Sequence, residues 1–406
     1  MSKEAVYQIL GVPGYEVLSS EKDEQSGGVR LTLQRRPRSL RCSACGSKEV
    51  DRHGQVARPF KSIPIGRKPV EVVAGIPRVQ CRRCGVRRQV RVGFADPRVS
   101  YTRAFARYAL DLSRHMTMQD VAEHLGVSWG MVKQIQQQAL EREFGRPKLK
   151  HVRKIAIDEI SIAKGHRYVT VVLDLQSGAV LFVGDGKGAA ALQPFWARLR
   201  ASHARIEAVA MDMSRAYIAA VQTHLPRALI VFDRFHVIQL YHEKLSDLRR
   251  ELHREATERM HKDVLKGIRW LLLKNPDNLD DQKNEKARLA AALDLNAPLF
   301  TAYYMKEHLR RIWDHPDKRT ARRQLQGWIE LAEMTGIRML MNFAKTLREH
   351  REGILNYYTH RISTGPLEGT NNKIKTMKRQ AYGFRDHEFF KLKILGIHKT
   401  KYALVG

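Results

Sequence analysis

The run Lys154-Ile155-Ala156-Ile157-Asp158 is followed by Tyr168–Asp174, Val180–Val183, Ile206–Met211 and Leu229–Phe232, and these five stretches set the architecture. Each is short, rich in β-branched residues and bounded by turn or helical text, as strands are. Gly178 sits between the second and third stretches, where a hairpin turn wants a permissive residue. Residues 188–202 and 214–224 carry helical spacing. From Val152 to Asp233 the order is therefore strand, strand, strand, helix, strand, helix, strand.

Three antiparallel strands followed by two crossovers describe an RNase H-like core. In that fold carboxylates lie at the ends of the first and fourth strands, and a third comes from a late helix. Asp158 closes the first run here and Asp212 the fourth. Glu368 lies in the first turn of a basic helix, with Thr364 as candidate N-cap and Pro366 tolerated near its start. On that helix Leu367, Thr370, Ile374, Met377 and Ala381 form a packing stripe. Glu368, Asn372, Lys375 and Arg379 form a second, wholly polar one. Glu159 competes with Asp158, but alternation puts Asp158 on the face of small Ala156. Asp233, closing the fifth strand, competes with Asp212. Asp174 and Asp185 fit ordinary turns, and Gly184-x-Gly186-Lys187-Gly188 misses the phosphate-loop spacing.

The 406 residues carry 72 Lys plus Arg against 42 Asp plus Glu, a formal charge of +30. Carboxylates gathered in so basic a chain suggest a hard divalent cation, Mg²⁺ or Mn²⁺. A pair of such ions clamps in-line phosphoryl displacement. The positive excess itself favours a polyanion with salt-sensitive attraction to phosphates. No apolar run approaches the roughly 18 residues of a membrane span, and no signal-peptide pattern follows Met1. The expectation is a soluble intracellular enzyme that cuts and rejoins nucleic acid.

All four cysteines occur early, as Cys42-x2-Cys45 and Cys81-x2-Cys84, each pair followed by Gly46 or Gly85. Two such knuckles supply the four soft ligands of a structural Zn²⁺ site, with no open position for catalysis. The spacer between the pairs leaves room for a β-hairpin. Arg82, Arg83, Arg87 and Arg88 beside the knuckles are candidate DNA contacts. Met118–Ile135 reads as helix, turn at Gly126, N-cap at Ser128, then a second helix with Met131, Val132 and Ile135 on one stripe. In this helix-turn-helix pattern Trp129, Lys133 and Gln134 face outward as candidate groove readers. Lys373 and Arg379 near the C-terminus add candidate DNA contacts.

The predicted organisation is a multidomain α/β chain. A zinc-ribbon domain covers 1–96 and a helix-turn-helix domain 97–150. The first part of the RNase H-like core spans 151–236, and from Val237 to about Tyr358 the chain reads as almost wholly helical.

With these residues in view, the chain resembles a DDE transposase of the bacterial ISL3 insertion-sequence family over nearly its whole length. The resemblance rests on the knuckles, the helix-turn-helix and Asp158-Glu159-Ile160-Ser161-Ile162. It rests further on Met211-Asp212-Met213-Ser214-Arg215, Phe232-Asp233-Arg234-Phe235-His236 and Leu367-Glu368-Gly369-Thr370-Asn371-Asn372-Lys373. It implies that Asp158, Asp212 and Glu368 form the catalytic triad and hold two Mg²⁺ (or Mn²⁺) ions, and that 237–345 is an all-helical insertion splitting the core, whose C-terminal helices with Glu368 occupy 346–406. Strand cleavage would leave a 3′-hydroxyl that then attacks target DNA. Asp233 and His236 match an acidic-x-x-His element with a supporting role near the active site; Asn372 and Lys375 are supporting candidates from the polar stripe of Glu368, an amide and a cation suited to a scissile strand. Implied partners are double-stranded DNA, at transposon ends and target, and a second subunit in a homodimer or larger assembly. No membrane is implied, and the place is the bacterial cytoplasm at the nucleoid. Two alternatives stay open: an RNase H-like nuclease or resolvase, and a catalytically inactive zinc-ribbon and helix-turn-helix regulator.

Overall fold

The computed structural model describes residues 10–24, 27–35, 40–163, 165–256 and 259–405, with the side chains of 259–262 outside that description. The chain divides into two compact units. One takes the N-terminal residues to Arg146 together with Thr376 onward; the other takes Pro147–Lys375.

In the first unit strands β1 (Tyr15–Lys22), β2 (Val29–Arg35), β3 (Val50–Ile65), β4 (Lys68–Cys81) and β5 (Arg87–Gln89) form one sheet in the order β1-β2-β4-β3, with β5 on β4. The β3–β4 hairpin fills the spacer between the two cysteine pairs. It turns through Gly66-Arg67, with Ile65 opposite Lys68 and Gly66 at φ 60°. Glycine adopts that left-handed conformation without a Cβ clash. Three helices follow: α1 (Arg103–Leu112), α2 (Met118–Leu125) and α3 (Trp129–Phe144). Thr117 and Asp120 close a capping box on α2, and Gly126 ends it at φ 62°. Ser128 caps α3 by accepting from Met131 N at 3.2 Å. Both devices satisfy backbone groups that a helix end leaves unpaired. Val121, Ala122, Leu125, Val132 and Ile135 are buried, as the helix-turn-helix pattern requires.

Helix α14 (Gly365–Gln380) crosses the unit boundary, and α15 (His387–Gly396) belongs to the first unit. Phe389 of α15 shares a hydrophobic core with Phe60, Val72, Val132 and Leu140. Gly396 permits the approach to α3: a Cβ there would meet Leu140 Cδ2 at 2.8 Å. These partners lie far apart along the chain, so apolar spacing within either segment could not announce them.

In the second unit strands β6 (Lys154–Ala163), β7 (Arg167–Asp174), β8 (Val180–Asp185), β9 (Ala208–Met211) and β10 (Leu229–Phe232) form a sheet in the order β10-β9-β6-β7-β8. The first three are antiparallel; β9 and β10 run parallel to β6. Helices α4 (Gln193–Ser202) and α5 (Arg215–His224) make the crossovers, and Phe195, Trp196, Leu199, Tyr217 and Val221 pack with Ile155, Ile157 and Val209. The expected strands are present, but β6 does not end at Asp158. It continues to Ala163 because β7 keeps pairing with it as far as Arg167.

After β10 the chain is helical. The segments are α6 (Arg234–Glu255), α7 (Arg259–Gly267), α8 (Arg269–Leu273), α9 (Glu285–Asp294), α10 (Ala297–Arg310), α11 (Lys318–Met334), α12 (Arg338–Glu349) and α13 (Arg351–Leu355). Tyr241, Leu245, Leu299, Leu325, Trp328 and Phe343 supply their shared core. Buried Lys306 caps α8, its ammonium donating to Leu272 O at 2.7 Å and Lys274 O at 3.0 Å. A cation there satisfies carbonyls that the helix end leaves open.

Candidate functional site

Parallel pairing brings the first two acids to the same end of neighbouring strands. Ala156 of β6 lies opposite Ala210 of β9, the last pair of the ladder; Asp158 and Asp212 follow it by two residues on each strand, and the Asp212 charge acts on Asp158. Neighbouring strands stand about 4.8 Å apart, which sets the scale of that approach. Phe232 pairs with Met211, which brings Asp233 alongside Asp212 in turn. Asp158 Oδ1 accepts from Glu159 N at 2.8 Å, and Asp212 Oδ1 from Ser214 N at 3.0 Å, ahead of α5. Burial pushes the Asp158 carboxyl above its ordinary range. The backbone N–H of Glu159 and neighbouring His236 oppose that shift, while the charges of Asp212 and Glu159 add to it.

Alternation separates Asp158 from its neighbour. Glu159 points to the other face of the sheet, where its Oε2 accepts from the Tyr217 hydroxyl at 3.2 Å. Tyr217 also bonds Thr170 Oγ1 at 2.9 Å and accepts from Gly188 N at 3.0 Å; burial lifts its phenol to about 12.

Helix α14 meets the Asp158 face through Asn371, whose Nδ2 donates to Asp158 Oδ2 at 2.9 Å. Sequence reasoning missed this residue. The available signal was a polar side chain within the stripe of Leu367 and Ile374, both buried. Thr364 opens the helix, its carbonyl accepting from Glu368 N at 2.8 Å. Its hydroxyl does not cap: Thr364 N and Oγ1 both donate to Asp233 Oδ2, the latter at 2.7 Å. The other oxygen of Asp233 caps α6, accepting from Phe235 N at 2.7 Å. Asp233 is thus buried and engaged through both oxygens, a latch between two helix starts.

Glu368 is exposed on the first turn of α14, one turn before Asn371. Residues three apart on a helix have Cβ atoms about 5–6 Å apart, so Glu368 is a neighbour of Asn371 on α14. Asn372 and Lys375 are exposed on the adjoining face, as are Lys373 and Arg379. Among the described residues the cysteines are the one cluster of three or more His, Cys, Asp or Glu side chains grouped for a metal ion. The three acids are not drawn into such a cluster.

The donor set nonetheless suits a hard cation. Two neighbouring carboxylates, one held partly buried against its own charge, are relieved by a divalent ion, and oxygen ligands fit Mg²⁺ or Mn²⁺. Asn371 Oδ1 is buried beside them with no hydrogen-bond partner, a further neutral oxygen for the same purpose.

The zinc site is better defined. Cys42 Sγ lies 3.7 Å from Cys84 Sγ, and Cys45 Sγ lies 3.6 Å from Cys81 Sγ. All four sulfurs fall within 4.8 Å of one another. Tetrahedral Zn–S bonds of about 2.3 Å imply sulfur separations of about 3.8 Å, whereas a disulfide needs about 2.05 Å. Gly46 at φ 77° and Gly85 at φ 68° complete the two knuckles. The set is that of a structural zinc ribbon.

The outward residues divide by partner. Trp129 is 45% exposed and Gln134 exposed. Lys133 is not free: its ammonium bonds Asp386 Oδ2 at 2.6 Å and lies 5.6 Å from the ring centroids of both Trp129 and Phe389. Arg82 is paired with Asp51 at 2.5 Å, and Arg87 Nη2 bonds His53 Nδ1 at 2.5 Å. Arg83 and Arg88 are exposed. Among the described residues no helix is long and apolar enough to cross a membrane.

Comparison with known proteins agrees with this arrangement. A family model described as a zinc-finger of transposases IS204, IS1001, IS1096 and IS1165 matches residues 38–84. One described as the helix-turn-helix domain of transposase family ISL3 matches 90–139. The ISL3 model described as transposase matches 155–394. The transposase for insertion sequence element IS1001 of Bordetella parapertussis is 33% identical over 97% of this chain and 98% of its own length. The transposase for insertion sequence element IS1557 of Mycobacterium tuberculosis is 31% identical over 93% of this chain and 91% of its own. Zinc ribbon, helix-turn-helix and transposase domain follow one another in the order the sequence implied, and this chain belongs to the ISL3 family of transposases.

Proposed function

We propose that the chain binds the terminal inverted repeats of its insertion sequence and catalyses divalent-metal-dependent strand cleavage and strand transfer, with Asp158, Asp212 and Glu368 as the catalytic carboxylates. The observation that supports this is the register of β6 on β9, whose last pair, Ala156 and Ala210, precedes Asp158 and Asp212 by two residues on each strand, with the Asp212 charge acting on Asp158. The sheet order β10-β9-β6-β7-β8 supports an RNase H-like core built from 151–236 and α14, with 237–345 as its helical insertion.

Asp158 and Asp212 are the central ligands, and Glu368 completes the set from α14. A divalent cation bound there would supply activation of the attacking oxygen and a clamp on the charge developing at phosphorus. Asn371 holds the Asp158 carboxylate in one rotamer. Asp233 pins the start of the helix that carries Glu368, and His236 tempers the charge of the acidic pair. Lys375 and Asn372 face the same side and suit a scissile strand's phosphates. The helix-turn-helix and zinc ribbon bring the DNA end, and two subunits bridge the two ends.

The test is cleavage of a labelled duplex carrying the element's end, in Mg²⁺ or Mn²⁺, followed by joining to a target plasmid. Asp158→Ala, Asp212→Ala and Glu368→Ala should each abolish both steps while leaving end binding close to wild type. Full activity of Glu368→Ala would reject the triad.

A further inference from the structure

The first unit contains a concavity of about 1020 Å³ between β4, β5 and the segment 90–98. Seven arginines line it: Arg58, Arg78, Arg87, Arg88, Arg91, Arg98 and Arg103. The acid among its lining residues, Asp96, is taken by Arg103 at 2.7 Å. Among the described residues Arg78, Arg88, Arg91 and Arg98 carry no ion pair, and all four are exposed. Arg58 and Arg87 are held by neutral partners, Val99 O at 3.0 Å and the His53 ring. The floor is apolar, with Ile76, Val90 and Ala95 buried.

Two features separate this from a solvated basic face. First, it is concave with low-dielectric walls, which focuses a positive field instead of dispersing it into solvent. Second, Arg98 adopts φ 64°, a left-handed backbone conformation. That conformation costs a residue other than glycine on the order of 1 kcal/mol and persists where the surroundings hold it. Buried Val99 follows it and turns its carbonyl to Arg58. Such a cluster of like charges opposes folding unless a polyanion neutralises it.

We propose that this groove is a track for the phosphate backbone of duplex DNA, giving affinity and register but no base recognition. The inference rests on the DNA-end-binding reading above and deepens it. It moves the grip from the knuckle tip, where Arg82 is already paired with Asp51, to the concave side of β4 and β5. Arg58, Arg78, Arg91 and Arg98 join Arg87 and Arg88 as contacts. The groove volume, about 1020 Å³, stands at the upper limit of a small-ligand pocket. A space of that size suits a polymer segment better than a single ion.

The test uses full-length protein and fluorescence anisotropy with two probes: a duplex bearing the terminal repeat and a scrambled duplex of equal length. Binding is followed against salt. Arg78→Gln with Arg91→Gln should weaken both duplexes alike and flatten the slope of log affinity against log salt by about 0.9 for each phosphate no longer neutralised. Lysine at the same two positions should restore the slope. Arg30→Gln, removing a cation paired with Glu71 at 3.2 Å elsewhere on the sheet, should leave it unchanged. Zinc content and melting temperature should match wild type. An unchanged slope in the glutamine variant, or weakening confined to the terminal-repeat duplex, overturns the track while end binding stands. Equal competition by single-stranded DNA overturns the duplex assignment. Failure of the wild-type protein to bind either duplex overturns the underlying reading as well.

Discussion

Asn371 Nδ2 donates to Asp158 Oδ2 at 2.9 Å across 213 residues of sequence. This bond ties α14, the helix that carries Glu368, to the sheet at Asp158. It also leaves Asn371 Oδ1 buried and unpartnered. Partners that orient metal-binding carboxylates typically change metal affinity or activity by roughly 10–100-fold when removed. Asn371→Ala should therefore raise the Mg²⁺ concentration for half-maximal cleavage by about tenfold. A metal titration of single-turnover cleavage reads this, and an unaltered midpoint would show that Asn371 only packs.

The latch at Asp233 should behave as a structural joint. Its carboxylate satisfies Phe235 N, Thr364 N and Thr364 Oγ1. Asp233→Asn turns an N–H toward donors and should cost about 2–3 kcal/mol in urea denaturation; Thr364→Val loses one bond and should cost about 1 kcal/mol. Equal stabilities for the two variants would contradict the latch.

Lys133 should act through the fold and not through the groove. Bonded to Asp386 and lying over Trp129 and Phe389, it joins α3 to α15. Lys133→Ala should lower the melting temperature and leave preference for the terminal repeat intact. Gln134→Ala should do the reverse, reducing that preference with little change in melting. Competition binding against scrambled duplex separates the two.

Buried Lys393 gives a pH signature. Burial lowers its ammonium to about 8, with Phe384 and Phe389 rings 5.9 and 5.6 Å away. Between that value and the unfolded value of about 10.4 the unfolded chain holds more protons than the folded one. Stability contributed by this site therefore rises with pH from about 8 toward about 10.4 and is flat below that window. Lys393→Met should remove the rise and stabilise the protein at neutral pH. The gain is a few kcal/mol at most, since each tenfold change in proton affinity is about 1.4 kcal/mol. Melting curves of both proteins across that window decide it.

Zinc removal should unfold the ribbon. The four thiols form no disulfide, and their sulfurs pair at 3.6 and 3.7 Å. Structural zinc contributes roughly 10–16 kcal/mol of folding energy in small zinc-finger peptides. One zinc per chain is expected by elemental analysis. Chelation, or Cys45→Ser, should release it together with binding of the terminal repeat. Retention of full binding without zinc would separate the ribbon from DNA recognition.

Much of this protein was legible from local text. The strands of the second unit, the knuckles with Gly46 and Gly85, and the cap at Ser128 depend on alternation, turn chemistry and capping, all of which act within a few residues. The choice of Asp158 over Glu159 for one face also followed from alternation, since successive strand residues point oppositely. Other features depend on which distant segment arrives. Asn371 meets Asp158 across 213 residues, Thr364 meets Asp233 across 131, and Lys133 meets Asp386 across 253. No periodicity reports such partners. The sequence by itself therefore determined the elements, their order and their carboxylates and thiols. Tertiary structure alone decided which of those groups are neighbours, because hydrogen bonds and ion pairs form where packing of the cores brings chains together, regardless of separation along them.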